Sequence, residues 1–485
     1  MSTHSSTSGP ALRPAPGAAL RARSLLRLPG HPDIQEYLDL AAHHGMEITA
    51  VTETHIHADY LSGSRELAAA TGATLHVSAE GGADWQYRFE AERLADGNVI
   101  TLGNLTLTAL HTPGHTPEHL SYLVTDGAVT DQPGYLLSGD FVFSGDLGRP
   151  DLLDEAAGGV DTRHEGARQL FASLRDVFLH LPDHVQVFPG HGAGSACGKA
   201  LGSLPSTSVG YERLYSWWGP YLATGDEHGF IDELLSGQPD AHAYFGRMKR
   251  ENRQGPSLLG TRGALRELDT ATVAAGIEDG SLVMVDTRPV DAVHAGTVRG
   301  SLSLPNPGKI ASHGAWAYDP ERESTPIVLL AEDPERAHEF ADHLVRVGVD
   351  RVAGFLTSVD GLPALRPALV SPAELDFTDH VLLLDVRGKG EHATAHIPGS
   401  RQLNAGRVLW HQDSLPREGT IVTYCQTGVR NSVSASALRR AGFTVAELDG
   451  SFAGWRDWQA APDPQDARGQ EEDDAGHSPA ASAAI

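Results

Sequence analysis

The stretch Thr54-His55-Ile56-His57-Ala58-Asp59-Tyr60 decides the fold of the first half of this chain. It follows an alternating, β-rich segment over residues 48–54, which predicts a strand that runs into the motif. Two histidines separated by one residue at a strand end can turn to the same side, and imidazole with carboxylate suits a divalent transition metal. The motif therefore predicts a metal site at the edge of a sheet.

Three further polar motifs follow predicted strands downstream. They are His111-Thr112-Pro113-Gly114-His115-Thr116, Ser138-Gly139-Asp140 and Pro189-Gly190-His191-Gly192. A single histidine is more often a hydrogen-bonded core or surface residue than a ligand, but four His/Asp sites in this order favour one shared centre. Helical spacing at 34–44, 64–71 and 162–181 lies between the strands, so we expect an α/β domain whose loops gather ligands at one edge.

The order HxHxD, PGHT, GD and PGH resembles the metallo-β-lactamase fold and, within it, the persulfide dioxygenases. The run Gly145-Asp146-Leu147-Gly148-Arg149-Pro150-Asp151 is similar to the glycine–arginine–aspartate turn of that family. The resemblance covers roughly residues 48–255. It implies one Fe(II) per chain, with zinc as the alternative, held by His55, His115 and Asp140. Two histidines and one carboxylate leave positions open for O₂ and substrate.

The resemblance also implies residues that surround the metal or orient the substrate: His57, Asp59, Tyr60, Arg149, Asp151 and His191. Two-metal members of the fold carry histidine where this chain has Tyr60. A phenol with a pKa of about 10 is a poor ligand for a divalent metal at neutral pH. We therefore expect a mononuclear centre. The fold normally opens with two apolar strands, which residues 1–32 do not contain, so we expect these strands to be missing and residues 1–32 to be disordered.

From Thr261 onward, two segments of about a hundred residues look alike. The first contains an apolar strand followed by Asp286-Thr287-Arg288, and the second contains an apolar strand followed by Asp385-Val386-Arg387. A turn with histidine and glycine comes next in each, and then another apolar strand at residues 327–330 or 421–424. This repetition predicts two duplicated α/β domains.

A cysteine loop, Tyr424-Cys425-Gln426-Thr427-Gly428-Val429-Arg430, connects a predicted strand to a helix predicted over residues 432–441. Backbone N–H groups converge at a helix N-terminus, and their positive field favours the thiolate form. Gly428 allows the loop to curl around the sulfur, and Arg430 can hold an anion over it. The loop is similar to the rhodanese active-site loop, CxxGxR, over residues 372–458. The resemblance also includes Asp385 and Arg387.

The first repeat lacks the cysteine, because Ala331-Glu332-Asp333-Pro334-Glu335-Arg336 follows its strand. Its two leading carboxylates would repel an anionic substrate, so we expect an inactive rhodanese-like domain. The order of dioxygenase, silent rhodanese and active rhodanese resembles the bacterial persulfide dioxygenase–rhodanese fusions. Those fusions carry a cysteine in the loop after the last histidine, which implies that Cys197 handles persulfide near the iron. A small buried hydrophobe is the alternative role for Cys197.

The predicted fold class is multidomain α/β: an αββα metallo-β-lactamase fold followed by two rhodanese-like domains. The predicted ranges are 33–255 for the dioxygenase-like domain, 261–368 for the inactive repeat and 371–460 for the active one. Residues 463–485 carry a run of four acids and are expected to form a disordered tail.

Composition excludes several classes of protein. Only two cysteines occur in 485 residues, which excludes a disulfide-stapled secreted fold and favours the cytoplasm. A formal charge of -26 disfavours nucleic acid as a partner. No stretch approaches the ~20 apolar residues of a membrane span. We also expect a homo-oligomer.

Together, the motifs predict an enzyme that oxidises a low-molecular-weight persulfide with O₂ to sulfite and transfers sulfur to give thiosulfate. A zinc-dependent thioester hydrolase similar to glyoxalase II, with an appended sulfurtransferase, is the first alternative. A non-enzymatic scaffold is the second.

Overall fold

The computed structural model describes residues 30–155, 162–195, 197–375, 378 and 380–461. The expectations for residues 1–29 and 463–485 concern segments outside the described residues. A bilayer-crossing helix is absent from the described part of the chain, since none of its helices combines the length and apolar character required.

Among the described residues, nine strands build the first half of the molecule. They are β1 Ala50–Thr52, β2 Thr74–Ser78, β3 Glu92–Leu94, β4 Val99–Leu102, β5 Leu105–His111, β6 Leu120–Asp126, β7 Tyr135–Gly139, β8 Gln186–Pro189 and β9 Thr207–Ser208. They form a parallel three-stranded sheet in the order β1-β2-β3 and a mixed six-stranded sheet in the order β4 to β9. Successive side chains of β7 point to opposite faces of the sheet. Leu136 packs into one core cluster and Leu137 into another.

Helices surround these two sheets. Their bounds are Gly30–His43, Ser64–Thr71, Leu152–Glu155, Thr162–Asp176, Val209–Tyr215, Gly219–Thr224, Glu227–Leu235 and Phe245–Gln254. The hairpin β4–β5 turns at Gly103 with φ +62°, as its sequence predicts. The helix predicted over 162–181 is shorter than expected, because it ends at Asp176 and a separate 3₁₀ turn follows at Phe178–His180.

The first repeat has six strands: β10 Val283–Asp286, β11 Thr297–Val298, β12 Leu302–Ser303, β13 Ile327–Leu330, β14 Val352–Leu356 and β15 Ala364–Leu365. Its helices are Thr270–Glu278, Val290–Ala295, Ile310–Ala317 and Pro334–Val345. The main sheet is parallel in the order β12-β10-β13-β14. The helix at Pro334 replaces the cysteine loop, and the Asp333 side chain caps it by accepting from the Arg336 N–H.

The second repeat has a five-stranded parallel sheet in the order β16-β20-β19-β17-β18. Its strands are β16 Ala368–Val370, β17 Val381–Asp385, β18 Arg401–Gln402, β19 Thr420–Tyr424 and β20 Val445–Leu448. Its helices are Lys389–Thr394, Val408–His411, Val429–Arg440 and Ser451–Ala460. The helix predicted to begin at Ser432 begins three residues earlier, because Gly428 adopts φ +106° and turns the chain at the helix start.

One apolar cluster connects all three regions. It contains Leu61 and Met248 from the first half, Leu329 from the first repeat, and Leu384 and Val433 from the second. The two repeats also share buried hydrogen bonds: Ser303 N–H donates to Ser436 Oγ, and the hydroxyls of Ser303 and Ser432 lie 2.8 Å apart. Helix Val429–Arg440 is therefore buried between two sheets, which explains its run of small residues. The predicted α/β fold class is confirmed.

Candidate active sites

Two histidines and one carboxylate meet at the ends of β1, β5 and β7. His55 Nε2 and His115 Nε2 lie 3.9 and 3.5 Å from Asp140 Oδ2, and all three side chains are fully buried. One donor atom from each residue lies within 4.8 Å of the other two. The structure thus brings together the three ligands that the resemblance implies.

The outward nitrogen of each ring has its own partner. His55 Nδ1 lies 2.9 Å from the Thr54 hydroxyl, and His115 Nδ1 donates to the Arg149 carbonyl over 3.0 Å. Partners of this kind fix the orientation and tautomer of metal-binding histidines, because they occupy one nitrogen and direct the other inward.

The Asp140 carboxylate is the best indication of a metal. Both of its oxygens are buried without a hydrogen-bond partner among the described residues, although the side chain is only 1% exposed. A buried carboxylate is costly unless a cation compensates it, and either the His191 ring, 3.4 Å from Oδ2, or a metal held together with His55 and His115 can do so. Glycines surround it closely: a Cβ on Gly190 would lie 2.7 Å from Asp140 Oδ1, and one on Gly148 would lie 1.8 Å from the Asp140 carbonyl. The residues present fit a bound divalent metal.

Protonation states agree with ligation. Burial lowers the pKa of His115 to about 4 and, with the charge of His57, lowers that of His55 well below its usual value. Burial alone would raise the pKa of Asp140, but the charges of His191 and His55 lower it well below its ordinary range. At neutral pH the centre therefore offers two neutral imidazoles and one carboxylate, the forms that bind metals.

His57 is turned toward Glu53. Its Nε2 lies 3.1 Å from Glu53 Oε2 and 3.3 Å from the Tyr60 hydroxyl, and its ring stacks on that of Tyr60. Burial opposes protonation, but the hydrogen bond and charge of Glu53 outweigh it and raise the pKa of His57. Burial and the charge of Asp59 raise the pKa of Tyr60 well above its usual value, so the phenol stays neutral. This arrangement places His57 beside the three-residue centre.

A second group of potential ligands adjoins the first. The donor atoms of Asp59, His191 and Cys197 lie within 4.8 Å of one another, and His191 Nε2 is 3.4 Å from Asp140 Oδ2. Burial raises the pKa of the Cys197 thiol to about 11, despite the opposing charge of His191. Cys197 is therefore a buried thiol next to the centre.

The turn after β7 supports the centre from outside. Arg149 is fully buried and donates from Nε and Nη2 to both oxygens of Asp151, and Nη2 also donates to the Pro239 carbonyl over 2.7 Å. The Arg149 N–H donates to the Cys197 carbonyl. The Gly–Arg–Asp turn thereby positions His115 and the Cys197 loop together.

The cysteine loop of the second repeat closes over Cys425. Its side chain is buried, and the Gly428 N–H donates to Cys425 Sγ over 3.1 Å. The helix that begins at Val429 directs its N-terminus at the sulfur. Such a position stabilises negative charge.

Two arginines stand at this loop. Arg430 makes a bidentate pair with Glu391, at 2.6 and 2.8 Å, and this hydrogen bond lowers the pKa of Glu391. Arg387 is buried against Asp385, which also lies 2.9 Å from His392 Nδ1. Asp385 and Arg387 thus build the floor of the loop, whereas Arg430 stands at its rim.

Sequence patterns did not reveal five residues near the two sites: Glu53, Glu118, His119, Lys249 and Glu391. His119 stacks on His55 and accepts from the Asp140 N–H through Nε2. Of these five, only His119 carried a sequence signal, since it comes four residues after His115, the histidine of the PGHT motif.

A buried His₂–carboxylate centre between two sheets, followed by a cysteine loop in a parallel α/β domain, defines a metalloprotein with an appended sulfur-handling domain. The metallo-beta-lactamase superfamily model matches residues 17–191, and the rhodanese-like domain model matches residues 373–457. The crystal structure of a metallo-beta-lactamase from Staphylococcus aureus subsp. aureus COL is 35% identical, covers 68% of this chain and 90% of its own, and has a TM-score of 0.59. The chain belongs to the metallo-β-lactamase superfamily.

Two curated relatives each match about a third of this chain. The hydroxyacylglutathione hydrolase-like protein of Mus musculus is 32% identical over 32% of this chain and 50% of its own length. The probable polyketide biosynthesis zinc-dependent hydrolase BaeB of Bacillus velezensis is 26% identical over 34% of this chain and 67% of its own. The chain thus spans half to two thirds of these two relatives.

We expect Asp140→Ala to abolish metal binding, because it removes the one carboxylate of the buried triad. Elemental analysis of the purified variant should give far less than the one ion per chain expected of an intact centre. The matched control is Asp59→Ala, which leaves His55, His115 and Asp140 in place and should keep the ion. Retention by Asp140→Ala with loss in Asp59→Ala would place the metal at Asp59, His191 and Cys197 instead.

Proposed function

We propose that this protein is an iron-dependent persulfide dioxygenase joined to a sulfurtransferase. The observation that carries the proposal is the buried Asp140 carboxylate, which makes no hydrogen bond in the described residues and lies between His55 and His115, with the Cys197 thiol in the adjoining group. Two imidazoles and one carboxylate are the ligand set of non-haem Fe(II) oxygenases. The Cys425 loop on the same chain makes sulfur the common element of both sites.

Bound Fe(II) would supply the redox chemistry that joins O₂ to the terminal sulfur of the persulfide. The balanced reaction is RSSH + O₂ + H₂O → RSH + H₂SO₃, in which the terminal sulfur is oxidised and O₂ is reduced. His55, His115 and Asp140 would hold the iron. His57 and His191 lie against this triad and would orient groups that enter it, because their rings are fixed by Glu53 and by Asp59 with Asp140.

Cys425 would carry out the second reaction. Its thiolate attacks the outer sulfur of a persulfide, and the bond between the two substrate sulfurs breaks to release the carrier thiol. Sulfite then takes the sulfur from the Cys425 persulfide to form thiosulfate and regenerate the thiolate. We propose that the first repeat is catalytically silent, because Glu332 and Asp333 stand where the second repeat has its cysteine loop. We also propose a cytoplasmic homo-oligomer that uses low-molecular-weight persulfide, O₂, sulfite and thiosulfate.

A zinc-dependent thioester hydrolase is the second candidate. The group Asp59, His191 and Cys197 favours it, since a second ion could lie there beside the first. The mouse relative, named a hydroxyacylglutathione hydrolase-like protein, is 32% identical over 32% of this chain. Metal content and O₂ consumption separate the two candidates.

The full-length protein should bind close to one iron per chain and consume O₂ when a persulfide is added. The reason is that Tyr60 stays a neutral phenol and Cys197 a thiol, so both are weak ligands for a second ion. Elemental analysis and an oxygen electrode test this with glutathione persulfide and one other low-molecular-weight persulfide. Two zinc ions per chain, with thioester hydrolysis and no O₂ uptake, would favour the hydrolase.

Cys425→Ser should abolish sulfur transfer from thiosulfate, because a serine hydroxyl cannot form the persulfide. Persulfide-dependent O₂ uptake should continue, and the product should shift from thiosulfate toward sulfite. Ion chromatography of the products measures the shift. The matched control is Cys197→Ser, which leaves the Cys425 loop intact and should keep sulfur transfer. Normal transfer by Cys425→Ser would show that another residue carries the sulfur.

Arg430 should contribute to the binding of thiosulfate through both its charge and its planar guanidinium group. Arg430→Lys should weaken the use of thiosulfate by about 1–2 kcal/mol, a usual value for a charge-assisted hydrogen bond. Arg430→Ala should cost more, because the dianion then meets backbone donors alone. Arg336→Ala is the control: Arg336 follows the corresponding strand of the first repeat and pairs with Glu339. Steady-state kinetics decide the matter, and unchanged kinetics in Arg430→Ala would show that the anion is held elsewhere.

A further inference from the structure

Helix Phe245–Gln254 has four basic residues, of which Arg247, Lys249 and Arg250 lie within one turn, and two of these three have partners. Arg247 lies 3.6 Å from Asp319, bonds to Glu251 and donates to the Val347 carbonyl, while Arg250 pairs with Glu321 on the surface. Lys249 differs from both. Its side chain is only 5% exposed, and its ammonium has no hydrogen-bond partner among the described residues.

The position of Lys249 is fixed by the residue one turn later. The Asn252 amide donates to the carbonyls of His57 and Tyr60, and its oxygen accepts from the Ser62 N–H. Residues three apart on a helix share a face, so Lys249 faces the same side as the metal loop. Its ammonium lies 5.3 Å from the centre of the half-buried Trp85 ring.

The Lys249 ammonium lies close enough to the centre to interact with its charged groups. Its electrostatic neighbours are Glu118 first, then Cys197, Asp151 and Asp140, and its charge is in turn felt by His115. The helix face that Lys249 shares with Asn252 lies against the metal loop, and the ammonium acts electrostatically on the groups of the centre from there.

Glu118 is the first of these electrostatic neighbours, but it is not hydrogen-bonded to the ammonium. No hydrogen bond joins it to Lys249: Glu118 Oε1 accepts from the Ile56 N–H, and Oε2 has no partner in the described part of the chain. Burial raises the pKa of Glu118 to about 7, so it is about half protonated near neutral pH. Burial lowers the pKa of Lys249 to about 8, which still leaves it mainly charged at pH 7.

We infer that Lys249 is the anion-holding residue of a subsite between the metal triad and Cys197. The subsite takes the negatively charged sulfur end of the substrate: the persulfide anion before the reaction and sulfite after it. This inference rests on the proposed function and names the part of the substrate that the site recognises. A buried ammonium that lies over the Trp85 ring but makes no hydrogen bond is costly in the free protein, and an anion beside it relieves that cost.

The location of Lys249 favours the reacting end of the substrate over its carrier. Carrier groups such as carboxylates would lie nearer to solvent, whereas Lys249 is buried and interacts electrostatically with Cys197 and Asp140. Trp85 lies on the open side of the ammonium, because the turn Ala83–Trp85 is largely exposed. Substrates with different carriers should therefore depend on Lys249 to a similar extent.

The test uses Lys249→Met, which keeps the length and apolar stem of the side chain and removes its charge. Arg250→Met on the same helix is the matched control. All proteins are full length, loaded with zinc to prevent oxidation, and carry Arg430→Ala so that the second loop does not compete. Isothermal titration with sulfite is the readout. Lys249→Met should bind sulfite about 10- to 100-fold more weakly, the usual effect of losing a hydrogen bond to a charged group.

Thermal melting shows that a loss of affinity does not come from misfolding. Without sulfite, Lys249→Met should melt at or above the temperature of the control, because an uncompensated buried charge has been removed. Added sulfite should raise the melting temperature of the control but not that of Lys249→Met. If Lys249→Met does not fold, Lys249→Gln is measured in the same way. Equal sulfite affinity in the variant and the control would overturn the inference.

The outcomes separate this inference from the proposed function. Sulfite binding that depends on Lys249, in a protein that consumes no O₂ with any persulfide, would support the subsite and refute the dioxygenase. Persulfide-dependent O₂ uptake with sulfite affinity independent of Lys249 would do the reverse.

For the iron-loaded protein, Lys249→Met should raise the KM for glutathione persulfide and for cysteamine persulfide by similar factors. An effect confined to glutathione persulfide would assign Lys249 to the carrier and overturn the inference.

Discussion

The buried guanidinium of Arg149 is the interaction on which both halves of the first site depend. It bonds to Asp151 and to the Pro239 carbonyl, while its own backbone accepts from His115 and donates to the Cys197 carbonyl. Breaking a buried ion pair on one side typically costs about 3–5 kcal/mol, because the remaining charge is left without compensation. His115, the Cys197 loop and the segment after Pro239 are thus held by one residue, the first two through its backbone and the last through its side chain.

The segment from Pro239 to Gln254 extends this support to the second site. Asp240 accepts from the Lys389 N–H over 2.8 Å at the start of helix Lys389–Thr394, and that helix carries Glu391, the partner of Arg430. A continuous set of contacts therefore connects His115 with the rim of the Cys425 loop. Such contiguity fixes the relative positions of two sites, and it becomes allosteric only where an element on the route has two arrangements.

Local sequence patterns predicted the three residues of the metal triad and the strands that precede them. His55, His115 and Asp140 each follow a strand whose alternation is visible in the sequence, and strand ends converge at one edge of a sheet. Two of the residues that patterns missed depend on long separations: Lys249 shares a helix face with Asn252, which bonds to the His57 carbonyl 195 residues away, and Glu391 pairs with Arg430 across 39. Burial and pairing of this kind depend on packing between distant segments of one domain, which a single sequence does not display. The sequence showed that Tyr60 replaces one ligand of the second metal site, and the resemblance placed Cys197 near the metal. That Cys197 lies beside Asp59 and His191 is visible only in the folded loop.

The first repeat has a structural role that needs no cysteine. Its His294 lies 3.3 Å from the buried Glu447 of the second repeat, which also accepts from Asn431 and Arg439. Asn431 and Arg439 belong to helix Val429–Arg440, whose N-terminus faces Cys425, so these contacts hold the helix in place from the side of the first repeat. Val290 lies against Gly428 at the same junction, near enough to contact a Cβ placed there. A repeat without a nucleophile therefore still forms part of the wall around the nucleophile of its neighbour, and its packing surface, rather than its loop, is what the second site requires.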